Sequence, residues 1–286
     1  KIDLSDFNKI VPLFEDVEIV VHAACTAYEG LSVFSPALVA QNTSQITTNV
    51  LSASVSGGVK KFVYMSSMAR YGTQPILPFT EKMTPLPQDP YGIAKYSSEL
   101  MVKNICEVHN MQYVILVPHN IVGPRQKYDD PYRNVASIMV NRMIHGKQPI
   151  IYGNGNQRRC FSFIQDVVDP IMKACFTDVI NGETINIGPD EEFVSINELA
   201  EVIAGIMNFR LSPIYVAERP QTVERMYDTI ENFCRHMNKH VLVTVDHSLL
   251  IKKDSSESSQ LAMLFNLGNM LAEARRKLPI SVILLS

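Results

Sequence analysis

The sequence predicts an α/β fold, a parallel sheet covered by helices on both faces, and three observations carry that reading. Apolar runs at Val17–His22 ("VEIVVH"), Lys60–Ser66 ("KKFVYMS") and Met111–Val117 ("MQYVILV") are nearly continuous, the pattern of strands buried on both faces. Helical stretches separate them, at Val39–Gly57 and from Pro90 to about Asn110, as crossovers between parallel strands require. Residues with useful chemistry also gather at the carboxyl ends of these runs: Ala23-Ala24 after the first, Ser66-Ser67 after the second, Pro118-His119-Asn120 after the third. Ligands of open parallel sheets bind beyond those ends.

The elements follow in order. "KIDLSDFNKIVPLFEDVEIVVHAA" reads as the end of a loop, a short amphipathic helix and then the first strand. A Pro-rich loop, Thr73–Asp89, leads from Ser66-Ser67 into "DPYGIAK". There Asp89 suits an N-cap and Pro90 the first helical position, where no backbone donor is needed. Tyr91 and Lys95 then share one face, a turn apart. A phenol ordinarily titrates near pH 10, so a fixed cation beside it favours its ionised form. A Tyr-x-x-x-Lys spacing alone is weak evidence, but its placement beside a hydroxyl pair and an Asn at one sheet edge points to a site.

Composition excludes other classes. A net charge of −3 with a pI near 6.2 leaves no electrostatic footprint for nucleic acid or an anionic membrane. No apolar run reaches the ~18 residues of a membrane span, and no signal peptide opens the chain. The five cysteines include no C-x-x-C pair and read as reduced cytoplasmic thiols. Cys234, His236 and His240 are a weak metal pattern, so no metal is expected.

Taken together, "VVHAA", "TTNVLSA", "VKKFVYMSSMARYG", "DPYGIAK", "VPHNIVGPRQ", "IIYGNGNQRRCFSFIQDVVDPI", "TINIG", "SINELAEVI" and "AERP" resemble the extended short-chain dehydrogenase/reductases. The nucleotide-sugar epimerases and dehydratases are the nearest group, with a UDP-glucose 4-epimerase-like pattern. The resemblance covers residues 1–221. It implies a Rossmann-like doubly wound sheet (mainly 1–123 and 163–188) with a small α/β substrate part (mainly 124–162 and 189–221). It implies Ser67, Tyr91 and Lys95 as a catalytic triad, with Tyr91 the general base. NAD would lie against Ala23, Ala24, Ser66, Tyr91, Lys95 and Pro118. A UDP-sugar would meet Ser67, Asn120, Arg159 and Arg219. A cytoplasmic homodimer, joined through the two long helices, is implied as well. The 4,6-dehydratases of the family carry Asp-Glu after the catalytic hydroxyl, whereas Met68-Ala69 stand here, so dehydration is not the expected reaction. A reductase or dehydrogenase of the same family and a silent binding fragment are the alternatives.

Three departures qualify the resemblance. The family's opening strand and Gly-rich cofactor turn are absent from the sequence, so the sheet is expected to be incomplete at its N-terminus and the chain to be a fragment. Cys160 also replaces an Asp. Past Gln221 the chain leaves the family pattern: a helix (Val223–Met237), a strand (Val241–Val245) before Asp246, a polar loop (Lys252–Ser259), a helix (Gln260–Lys277) and a last strand (Ile280–Leu285). On that helix Leu261, Leu264, Phe265, Gly268 and Leu271 are expected to share the buried face. Segment 222–286 resembles part of a RecA-type ATPase, with Asp246 in the Mg²⁺-binding position. It lacks the phosphate-binding loop such an ATPase needs.

Overall fold

A computed structural model of the chain describes residues 2–27, 29–129, 134–189, 193–216, 223–237, 240–245 and 260–284. It contains a four-stranded sheet of β1 (Ile19–His22), β2 (Lys61–Met65), β3 (Gln112–Pro118) and a fourth strand, Thr184–Ile187, adjacent in that order. All three pairings are parallel. β1 and β2 are each two residues shorter than their apolar runs, and β3 keeps the length of its run one residue further along.

Alternation along the strands builds two cores. Phe62 and Tyr64 of β2, with Tyr113, Ile115 and Val117 of β3, face Val50, Leu51, Val102 and Cys106. The helices Ile46–Gly57 and Pro90–Val108 supply the latter four residues. Val63, Met65, Val114 and Leu116 point the other way, onto Val167, Ala174 and Cys175 of the helix Ile164–Phe176. Helices on both faces are why the strands read as continuous apolar runs.

The helix expected over Val39–Gly57 is instead three joined pieces: Pro36–Ala40, a π turn at Gln41–Gln45, and Ile46–Gly57. The π turn buries Thr43, and the Thr47 hydroxyl donates to the Thr43 carbonyl at 2.6 Å. Side-chain bonding to a backbone carbonyl a turn back is a recurrent companion of such irregularities.

Two compact units divide the chain. Residues 1–149 and 158–211 form one; 150–157 and 212–286 form the other. The expected boundary at Gln221 lies outside the described residues. The division falls earlier because Ile150–Tyr152 pairs in parallel with Ile214–Val216, drawing both strands into the second unit. Within the first unit, the helices Val135–Ile144 and Ile196–Ile206 pack together. In the second, the strand Val241–Val245, the helix Gln260–Lys277 and the strand Ile280–Leu284 make a parallel β-α-β unit. Its helix buries Leu267, Met270, Leu271 and Ala274 with Leu264 partly covered, whereas Gly268 is exposed. The buried stripe therefore runs through Leu267, not Gly268. Asp246 and the polar loop lie outside the described residues.

Candidate active site

The site is built where β2 and β3 end. The Ser66 amide donates to the Leu116 carbonyl at 2.7 Å, the last link between the two strands. Ser67 has extended backbone and caps a short 3-10 turn, Met68–Tyr71, accepting from the Ala69 amide at 3.2 Å. Across from it, Asp89 caps the helix Pro90–Val108 by accepting from the Gly92 amide at 3.0 Å, with Pro90 in the first turn. The two helix starts touch. A Cβ on Gly92 would lie 2.7 Å from the Ala69 carbonyl oxygen, so only glycine allows this approach.

That contact brings the three expected catalytic side chains together. Tyr91 is 8% exposed, and the Ser67 hydroxyl is among the groups that draw its phenol pKa down. Lys95 is 2% exposed, donates from Nζ to the Met65 carbonyl at 2.7 Å, and lies 5.1 Å from the centre of the Tyr64 ring. Burial pushes the Tyr91 phenol up to about 12, against the opposing pull of the Lys95 ammonium. Burial by itself would lower the Lys95 pKa, but negative charge on Tyr64, Tyr91 or Cys25 nearby raises it. Lys95 is thus a fixed cation under Tyr91, stabilising whichever form carries negative charge.

A cavity of about 610 Å³ opens beside Ser67, bounded also by Pro118, Asn120 and Arg159. Tyr91, Lys95, Ser66, Ala23 and Ala24 do not line it; Ser67, whose hydroxyl acts on the Tyr91 phenol, does. Ala23 and Ala24 are exposed just past β1. Ser66 is buried and spends its hydroxyl on the Glu99 carboxylate, so it supports the site from beneath. Arg159 is exposed, and its guanidinium donates to the Arg158 carbonyl at 2.9 Å. Arg219 lies outside the described residues.

Several further side chains surround these three, most without a local pattern in the sequence that singles them out. Glu99 lies a turn beyond Lys95, so Tyr91, Lys95 and Glu99 form one row on the helix, a spacing legible in the sequence. Its partner Arg70 comes from the 3-10 turn. Cys25 lies near enough to Lys95 to help raise its pKa. His22, at the end of β1, is buried with Nε2 2.9 Å from the Thr47 hydroxyl. Burial, aided by the Lys95 charge, holds its pKa down to about 4. His119 and Cys160 meet in the cavity wall, Nδ1 to Sγ at 2.7 Å. Glu29 faces the same cavity, with Asp89 and Arg159 as charged neighbours.

Comparison with known proteins shows the family. The family model described as "NAD dependent epimerase/dehydratase family" matches residues 1–188. The chain is 34% identical over 217 residues to a putative UDP-glucose 4-epimerase of Methanocaldococcus jannaschii, covering 75% of this chain and 69% of that protein. It is 30% identical over 191 residues to the UDP-glucose 4-epimerase of Mycolicibacterium smegmatis, covering 66% of this chain and 59% of that one. The crystal structure of the Thermotoga maritima UDP-glucose 4-epimerase with UDP-glucose superposes with a TM-score of 0.72 at 29% identity, over 76% of this chain and 71% of that one. The chain therefore spans only part of the length of its relatives. With a sheet, a strand-end hydroxyl pair and a Tyr/Lys helix arranged as described, and a family match over residues 1–188, the chain belongs to the NAD-dependent epimerase/dehydratase family.

Proposed function

We propose that the protein is an NAD-dependent nucleotide-sugar 4-epimerase acting on a UDP-sugar. The observation that carries this reading is the convergence of Ser67, Tyr91 and Lys95 beside a cavity that also holds Asn120 and Arg159. NAD, when bound, supplies the acceptor and donor of hydride. Its nicotinamide end suits the strand ends at Ala23, Ala24 and Pro118, where small or ring-closed side chains leave room, with Lys95 and Tyr91 beneath. The sequence has no Gly-rich turn for the pyrophosphate, so the fit is to that end only.

Tyr91 takes the proton from the sugar hydroxyl and returns it to the opposite configuration. Ser67 holds the same oxygen and shares its charge. Lys95 keeps the tyrosinate within reach electrostatically. Met68 and Ala69, the residues after Ser67, move no protons, which disfavours elimination of water. Arg159 and Arg219 are the proposed diphosphate contacts, a task suited to guanidinium forks. Ile93 and Leu100, 53% and 50% exposed on the Tyr91 helix, support a homodimer through that helix. The five free cysteines support a reducing, cytoplasmic setting, and among the described residues no helix is long and apolar enough to cross a membrane.

The test is interconversion of UDP-glucose and UDP-galactose by the purified protein with NAD+, followed by NMR of the sugar. Turnover without net NADH supports epimerisation. NADH accumulating with product favours the second reading, a dehydrogenase of the same family. No turnover and no NAD+ binding would leave this chain a silent binding fragment.

A further inference from the structure

The wall of the cavity holds a short chain of hydrogen bonds whose directions can be worked out. Asn120 sits just past β3 with φ of 36°, a left-handed conformation that Asn tolerates better than most residues. Its Nδ2 is 3.1 Å from the Cys160 carbonyl oxygen and 3.1 Å from His119 Nε2. His119 Nδ1 is 2.7 Å from Cys160 Sγ. The backbone carbonyl can only accept, so it fixes the Asn120 amide with its NH₂ turned into the protein. The second N–H then faces His119 Nε2, which must accept. A neutral imidazole with Nε2 accepting carries its proton on Nδ1, and that N–H points at the Cys160 sulfur.

The remaining group follows by elimination. Both Nδ2 hydrogens are used, and Asn120 Oδ1 has no partner among the described residues. The backbone around it is pinned independently: the His119 amide donates to the Ile187 carbonyl at 3.0 Å, and the Ser162 hydroxyl to the His119 carbonyl at 2.9 Å. His119 stays neutral because burial, with Arg159 nearby, holds its pKa below the usual imidazole range.

We infer that His119 and Cys160 are positioning residues that lock the Asn120 side chain so that it meets its ligand through Oδ1, as an acceptor only. A diphosphate offers only acceptors at neutral pH, so Asn120 is unsuited to it. The group it binds is a donor: a sugar hydroxyl or a ring N–H of the base. That the ligand is a nucleotide sugar rests on the proposed function; the locked tautomer does not.

Long-range ¹H–¹⁵N correlation of the histidine rings in the purified protein tests the lock directly. The Nδ1–H tautomer of His119 is the expected result, and an Nε2–H tautomer or an imidazolium at neutral pH overturns the inference. Titration with UDP-glucose tests its consequence. Cys160→Ala removes the acceptor for Nδ1–H and should weaken binding about three- to tenfold, the worth of one ordinary hydrogen bond. Cys160→Ser restores an acceptor and should bind within about twofold of the unsubstituted protein, on the same scale. Equal binding by all three proteins overturns the positioning role. If UDP-glucose fails to bind the unsubstituted protein, the proposed function loses its support, and the ring spectrum alone decides the lock.

Discussion

Arg70 and Glu99 form an ion pair inside the support of the site: Nη2 lies 3.1 Å from Oε2, with the side chains 5% and 0% exposed. Glu99 also takes the Ser66 hydroxyl, and Arg70 stacks 5.0 Å from the Tyr71 ring centre. The pair therefore ties the end of β2, the 3-10 turn and the Tyr91 helix together. Among the described residues, Arg70 Nε and Nη1 and Glu99 Oε2 have no hydrogen-bond partner, so the ion pair and the Tyr71 face compensate the buried guanidinium.

Removing one partner leaves the other charge buried. Arg70→Met should destabilise the fold by about 3–5 kcal/mol, read by urea unfolding. Burial raises the Glu99 pKa even with Arg70 present, so its folded-state value lies above the unfolded one. Ionisation then costs stability at neutral pH, and that cost shrinks as pH falls through the folded value. The Arg70→Met protein should therefore recover stability on mild acidification more than the parent does. A parallel pH dependence of the two would refute a buried, uncompensated Glu99.

His22 should act in the opposite direction. Its folded pKa of about 4 lies below the ordinary value of 6.5. Below pH 6.5 the unfolded chain binds the proton that the fold refuses, so stability falls between pH 6.5 and 4. His22→Gln retains a donor for Thr47 without titrating, and its unfolding free energy should lose that slope. An unchanged slope would assign the acid sensitivity elsewhere.

Gly92→Ala places a methyl 2.7 Å from the Ala69 carbonyl oxygen. Because backbone cannot rotate away as a side chain can, the cost should be about 1–3 kcal/mol. The helix start should also shift away from Ser67, lowering kcat. Wild-type stability with wild-type kcat would show that the two helix starts are not in contact.

On the proposed function, Tyr91→Phe should lower kcat about 100- to 10,000-fold, the usual worth of a general base, with UDP-glucose binding retained. Lys95→Met removes the cation that opposes burial at Tyr91, so the phenol pKa rises further and the acid limb of kcat/KM moves to higher pH. The loss at neutral pH should be about 10- to 1,000-fold, the usual effect of removing a close opposite charge. A profile displaced to lower pH would contradict the assigned polarity.

The sequence alone determined the local and periodic features. Strand identities, the Asp89-Pro90 helix start and the helix and strand boundaries after Val223 all rest on neighbours a few residues apart, and the structure bears them out to within a residue or two. The Tyr91–Lys95 face was legible for the same reason. Tertiary structure decided what depends on residues distant in the chain. Ser66 meets Glu99 and His119 meets Cys160 across separations of 33 and 41 residues, and no local pattern encodes such pairings. The π turn that shifts helix register at Thr43, and the pairing of Ile150–Tyr152 with Ile214–Val216, were likewise hidden. Periodicity reports which face of an element is buried; only packing selects the partner that buries it and the proton that each buried group keeps.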